Sequence, residues 1–222
     1  MRRIRFASTN PIKLAEAGEI ILGLEALTLD LPEIQSTDPA VVVRHKLASV
    51  AALGLEDPVI VEDTGLAIDS WDGLPGALVK WFVERWGAAQ LAHISHIDGR
   101  GRGAEAVSAV GVLHYGDVRV WSGRIRGRIV EPRGDLAGWT PIFEVDGSGK
   151  TLAEMDFAER MSVTMRRAPL MEARDWLAAR GLSSSRSDHA QVAVSPSGGP
   201  PPPRTPTELG EVVARCRLNP LR

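Results

Sequence analysis

The sequence predicts an α/β fold, a mixed β-sheet with flanking helices, and three observations predict it. Short β-branched apolar runs alternate with segments of helical periodicity through the first half of the chain, as strand–helix–strand units require. Two longer strand-like runs then follow one another across a tight turn, which is the pattern of an antiparallel meander. The chain has 222 residues, 44% hydrophobic and 24% charged, so one soluble domain can enclose a real core.

Ile4–Ser8 reads as the first strand. Asn10-Pro11 then starts a helix, because Asn is a preferred cap and Pro a preferred first-turn residue. Leu14, Ala17, Ile21 and Leu24 recur at helical spacing and give it one apolar face. Leu27–Leu31 reads as a second strand ending at Pro32-Glu33, and Ala40–Leu53 as a second helix. Val59–Val61 is brief and β-branched, which suits a buried strand. Thr64-Gly65 reads as a small polar turn before a second apolar piece, Leu66–Ile68. Gly76–Trp86 and Ala88–His96 look helical, and Val107–Leu113 and Val118–Ile129 look like strands joined at Tyr115-Gly116-Asp117. Leu152–Val163 and Ala168–Ala179 read as closing helices, with Gly181 just past the last.

The patterned body covers about 1–181. From Ser183 a polar stretch runs through SGGPPPPRTP, and four consecutive prolines cannot continue a helix or a central strand. Residues 182–222 therefore read as a Pro/Ser-rich disordered tail, with one short helix at Glu208–Arg217 capped by Thr207. A polyproline ligand or docking arm is the other reading of that composition. Net charge is −2, so no broad basic field marks a nucleic-acid or anionic-membrane binder. The single cysteine, Cys216, rules out an internal disulfide and a multi-cysteine metal site, which fits a reducing cytoplasm. The opening MRRIRFASTN lacks the apolar core of a secretory signal, and no run approaches the length of a membrane span. The expectation is a soluble cytoplasmic protein.

Chemistry concentrates where elements end. Ligands in open α/β sheets bind at the carboxyl ends of strands, so Glu62 and Asp63 are candidates for a hard-metal site. Adjacent strand residues face opposite ways, so the two can share a site only if the chain turns at Thr64-Gly65. The plain alternative is a solvated acidic loop. Ser8-Thr9-Asn10-Pro11-Ile12-Lys13 is a strand-to-helix turn whose first N–H groups favour an anion, with Lys13 one turn in to neutralise phosphate. A well-capped helix would use the same residues. Glu33 behind Pro32, and Lys46 on the next helix, carry little local signal. His93, His96 and His114 form no recognisable ligand set, and Arg124, Arg126 and Arg128 on one strand face suit surface or dimer salt bridges.

The segments STNPIK, LPEIQ, VEDTGLAIDSWDGLPGALVKWF, GRIVEPRG, GWTPIF and KTLAEM occur in this order. Together they resemble the inosine triphosphate pyrophosphatase family, the HAM1-like noncanonical purine NTP diphosphatases, across about 1–180. The resemblance implies an elongated mixed sheet with flanking helices in two lobes around a nucleotide cleft. It also implies a homodimer and a Mg2+-dependent cut that turns a nucleoside triphosphate into a monophosphate and pyrophosphate. Carried onto this chain, it assigns Ser8, Asn10 and Lys13 to the triphosphate turn, and Glu33, Glu62 and Asp63 to the metal, Asp63 also activating water. Thr64 and Gly65 lie beside the phosphates, Lys46 adds a cation, and Lys80 sits at the cleft or the dimer contact.

The base-reading end departs from the family pattern. Ala137-Gly138-Trp139-Thr140-Pro141 stands where Phe-Gly-Trp-Asp-Pro is typical, and Thr164-Met165-Arg166 where Ser-His-Arg is typical. Trp139 could stack on a purine, Thr140 offers a hydroxyl instead of a carboxylate, and Arg160 replaces a lysine. Met165 supplies no hydrogen-bond donor, and losing one weakens discrimination. The first reading is hydrolysis of noncanonical purines such as ITP, dITP and XTP. Two others stay open: a divergent paralogue that cuts another nucleotide in a biosynthetic pathway, and a non-catalytic nucleotide sensor or scaffold.

Overall fold

A computed structural model describes residues 3–96, 99 and 101–182. They form a mixed sheet with helices on both faces. The strands are β1 (Ile4–Phe6), β2 (Leu24–Ala26), β3 (Val59–Ile68), β4 (Pro75–Gly76), β5 (Gly103–His114), β6 (Asp117–Ile129) and β7 (Phe143–Val145). The helices are α1 (Pro11–Ile20), α2 (Pro39–Ala51), α3 (Val79–Ile94), α4 (Phe157–Val163) and α5 (Arg167–Ala178). Sheet order is β2-β1-β3-β5-β6-β7, with β4 added to β3. β1 runs parallel to β2 and β3, and every other pairing is antiparallel. None of the helices in the described residues is long and apolar enough to cross a membrane.

β3 organises the molecule. Its ten residues pair with β5 without interruption, from Val59 against Leu113 to Ile68 against Ala104. The expected turn at Thr64-Gly65 is therefore absent, and both residues lie within the strand. Gly65 is needed there because a Cβ would meet the backbone of Gly76 at 2.8 Å, where β4 crosses. Alternation along β3 then sets the packing. Val59 and Val61 bury against Val43, Leu47 and Val50 of α2. On the other face Ile60 joins α1 and α5, and Leu66 and Ile68 join α3, Trp139 and Phe143. Glu62 sits on that second face between two apolar clusters.

Several boundaries differ from expectation. The second strand is Leu24–Ala26, because Gly23, at φ 70°, ends the turn after α1 early. Leu27–Leu31 runs on as irregular chain: Leu27 donates to the Phe6 carbonyl, while Leu29 and Leu31 pack on the α2 cluster. The expected break between two helices at residue 87 is present, because Gly87, at φ 79° and ψ 159°, is not helical and divides α3 in two; the first half starts at Val79, later than the expected Gly76. Only Phe157–Val163 of the expected 152–163 helix forms. Asp156 caps it, accepting from the Glu159 N–H while Glu159 accepts from the Asp156 N–H. The tail reading, including its 208–217 helix and Cys216, lies outside the described residues except at Leu182.

Candidate active site

The site occupies a gap in the sheet. β1 pairs with β3 only as far as Ile60, and pairing with β4 starts at Leu66 of β3, so the edge of β3 between them pairs with no strand among the described residues. A cavity of about 1100 Å³ opens onto that edge, lined among others by Ser8, Asn10, Lys13, Glu33, Lys46, Glu62, Asp63, Thr64, Lys80, Trp139, Thr140, Arg160 and Arg166. Glu62 and Asp63 point to opposite faces, as a regular strand demands, yet both line this cavity because it wraps an open edge. The gap does what a turn was expected to do. Of the assigned residues, only Gly65 is not part of the lining.

Two ionic chains flank the edge. On the α2 side, Lys46 Nζ lies 2.7 Å from Glu33 Oε1 and 3.3 Å from Asp63 Oδ1, and Lys80 Nζ is 3.9 Å from Glu33 Oε2. On the α1 side, Lys13 Nζ is 2.6 Å from Glu62 Oε2. Arg166 reaches Glu62 Oε1 at 3.0 Å and Glu16 Oε2 at 3.1 Å, and Arg160 reaches Glu16 Oε1 at 3.0 Å. Ser108 donates to Glu62 at 2.7 Å, and the Thr164 hydroxyl to Glu16 at 3.0 Å. Four acids thus alternate with five cations. Burial of charge at this density is tolerable only with such pairing.

Electrostatics separate the neighbouring acids. Burial penalises the Glu62 carboxylate, but Lys13 and Arg166 outweigh it and hold its pKa down at about 2. Asp63 is dominated by burial, with the Glu62 charge adding to it, so that despite Lys13 and Lys46 its pKa is pushed up to about 6. Lys46 resists its own burial through Asp63 and Glu33 and stays above its ordinary value. Burial also opposes the Glu33 carboxylate, but the Lys46 hydrogen bond and the charges of Lys46, Lys80 and Lys13 together outweigh it, leaving its pKa lowered. Glu62 is a fixed anion, whereas Asp63 can exchange a proton near neutrality.

At the turn between β1 and α1, Asn10 Oδ1 accepts from the N–H groups of Ile12 and Lys13 at 2.9 and 3.3 Å, and Ser8 Oγ accepts from the Asn10 N–H. The helix start is therefore self-capped, and the Lys13 ammonium is the cation that this turn presents to the cleft. At the other end, Trp139 is 7% exposed and packs edge-to-face on Phe143 at 5.8 Å. The Thr140 hydroxyl donates to the Ala137 carbonyl at 3.0 Å. Met165 is buried in the core and does not line the cleft, so its side chain cannot re-set the pocket directly. Arg166, also buried but on the cleft wall, is a strut between Glu16 and Glu62.

Glu16 and Ser108 were not recognisable as site residues from the sequence, and Thr164 entered only through the Thr164-Met165-Arg166 segment, not as a partner of Glu16. Glu16 is the most buried acid, at 0% exposure, and its one signal was its position three residues after Lys13, beside Ala17 on the apolar face. No three carboxylates or histidines among the described residues converge as a ready-made metal cage. Mg2+ does not require one, since it takes one or two carboxylates and completes its shell with phosphate oxygens and water. Glu33 and Asp63, hard oxygen donors already sharing one cation, fit that demand. Glu62, turned to the other face of β3, fits it less well.

Comparison with known proteins returns a consistent picture. The Ham1 family profile matches residues 4–176. Inosine triphosphate pyrophosphatase of Aspergillus oryzae is 40% identical over 157 residues, covering 69% of this chain and 80% of its own. That of Batrachochytrium dendrobatidis is 37% identical over 177 residues, covering 75% and 89%. Among solved structures, the Ham1 protein of Staphylococcus aureus superposes with a TM-score of 0.68 at 21% identity, covering 81% of this chain and 100% of its own, which supports the fold. A nucleoside-triphosphatase, dITP/XTP pyrophosphatase, of Mycobacterium abscessus reaches 0.53 at 30% identity, covering 80% and 98%.

Proposed function

The chain belongs to the Ham1 family, and on that premise we propose that it is a Mg2+-dependent nucleoside triphosphate diphosphatase acting on ITP, dITP and XTP. It hydrolyses the anhydride between the α- and β-phosphates. Water attacks the α-phosphorus, the bond to the bridging oxygen breaks, and NMP and pyrophosphate leave. The observation that carries this reading is the alternation of five cations with four acids around the open edge of β3. A triphosphate needs several cations to hold it, and a metal needs acids beside those cations.

Lys13, Lys46 and Lys80 take the phosphate charge, with Ser8, Asn10 and Thr64 available as hydrogen-bonding groups along the same wall. Glu33 and Asp63 would hold Mg2+, which when bound polarises the phosphoryl centre and acidifies water. With no metal bound, Asp63 has a pKa of about 6, so of the two β3 acids it is the one suited to accept the proton that water releases whenever it is not itself held by the metal. Glu62, at about 2, is too weak a base for that task and serves to anchor Lys13 and Arg166.

Specific contacts favour a second reading of the substrate. Arg166 is spent on two acids and Thr140 on a carbonyl, so few groups remain to read the base edge. Broad acceptance, or a different preferred nucleotide, is the alternative. The sensor reading has no such support, since Glu33, Glu62 and Asp63 all line the cleft. Pyrophosphate release with Mg2+ against ITP, XTP, dITP, ATP, GTP, CTP and UTP decides. Preference for ITP, dITP and XTP upholds the first reading, even turnover or preference for another nucleotide the second, and silence across the panel refutes both. The family likeness also implies a homodimer, and exposed Trp81, Trp86 and Leu74 are apolar surface suited to such a contact.

A further inference from the structure

Resting on the metal-assisted reading above, we propose that Lys46 is a resident counter-cation for the Glu33–Asp63 pair. Its ammonium keeps a free divalent cation out until a triphosphate draws it away, so metal and nucleotide load together. The observations are geometric. Lys46 is 9% exposed, and its Nζ bridges one oxygen of each acid, at 2.7 and 3.3 Å. Those are the two oxygen donors a metal would use. Neighbouring cations reinforce the exclusion: Lys80 stands 3.9 Å from Glu33, and Lys13 lies in the same cleft. Counted over both ionic chains, the five cations outnumber the four acids, so the network that holds the pair presents no local excess of negative charge to Mg2+; Asp30 and Glu84 line the cleft outside that network.

An incoming triphosphate inverts this balance. Its three or four negative charges offer Lys46 a stronger partner than two carboxylates of which one is partly exposed. As the ammonium turns to phosphate, both acid oxygens become available at the moment phosphate oxygens arrive to complete a metal shell. Binding of either partner then favours the other, a reciprocal coupling between sites. Lys46 thereby acts as an ion-exchange gate as well as a phosphate ligand.

The test is Mn2+ binding, read as free Mn2+ by electron paramagnetic resonance, to nucleotide-free protein at pH 8. Wild type is expected to bind at millimolar concentrations, and Lys46→Met at least tenfold more tightly, because one positive charge within ion-pair distance is gone. Lys46→Gln, which still donates a hydrogen bond to the pair, gives the same direction should the Met variant fail to fold. Arg124→Met, a loss of charge on the outer face of β6, leaves Mn2+ affinity as in wild type. An α,β-methylene nucleoside triphosphate tightens Mn2+ binding more in wild type than in Lys46→Met. Micromolar Mn2+ binding by nucleotide-free wild type, or no tightening in either variant, overturns the proposal. Mg2+-dependent pyrophosphate release by wild type, measured alongside, shows whether the hydrolase reading survives that result.

Discussion

At the scale of single residues, the neighbouring acids of β3 have opposite consequences for stability. Glu62 is ionised more easily in the folded chain than in the unfolded one, so its contribution is present above about pH 4.5 and is lost as pH falls toward about 2. Asp63 runs the other way. Its pKa rises from 3.8 to about 6, so its favourable contribution holds below 3.8 and is lost as pH rises through 6. At neutral pH that amounts to on the order of 3 kcal/mol of destabilisation. Asp63→Asn is therefore expected to unfold at higher temperature than wild type at pH 8 without metal or nucleotide, the gap closing as pH falls toward 4. Its kcat should fall about 10²–10⁴-fold. An equal or lower melting temperature at pH 8 would show that Asp63 is not strained. Arg166→Met leaves Glu16 and Glu62 buried without their shared partner and should cost about 3–5 kcal/mol by urea denaturation. None of this was legible in the sequence, where Glu16 reads as one more helix charge and Arg166 as a base reader. Their meeting spans 150 positions.

At the scale of elements, long patterned strands were legible and short ones were not. β5 and β6 announce themselves through sustained apolar residues and the Tyr115-Gly116 turn, both residues at positive φ. β4 has two residues and no pattern, so nothing in the sequence could signal it. Leu29 and Leu31 imitate a strand because one side of an irregular segment is buried. Leu152 and Met155 imitate a helix turn by their spacing, although both are buried turn residues outside one. Two glycines make testable claims here. A Cβ on Gly76 would lie 2.1 Å from the Thr37 carbonyl oxygen at a φ of +58°, where Ala77 also donates to that carbonyl. Gly76→Ala should shift the 36–38 segment and lower both melting temperature and kcat/KM. Gly87→Ala meets open space but, at φ 79° and ψ 159°, a conformation that only glycine adopts readily, so a loss of about 1–3 kcal/mol with near-normal kcat/KM is expected. Equal effects of the two in a thermal and kinetic comparison would contradict this distinction.

At the scale of the whole molecule, the fold class was legible and the site's construction was not. Strand–helix alternation followed by a meander specified a mixed sheet. That the cleft is a gap between β1 and β4 along one edge depends on where three strands stop, which no local pattern encodes. The family profile ends at residue 176, and the last described residue, Leu182, packs on the α1–α5 cluster and donates to the Leu177 carbonyl. A chain cut after Leu182 is thus expected to keep its melting temperature within about 2 °C and its rate of pyrophosphate release. A large loss in either would assign the remaining residues a part in the domain.

The open stretch of β3 has a further consequence. A sheet edge with unpaired backbone groups is a template on which a strand from another chain can add, and proteins blunt such edges with charge. Here the blunting charges are those of Lys13, Lys46, Glu62 and Asp63. On the proposed reading, the groups that would receive a nucleotide also guard the strand against edge-to-edge pairing, so solubility and catalysis would draw on the same side chains.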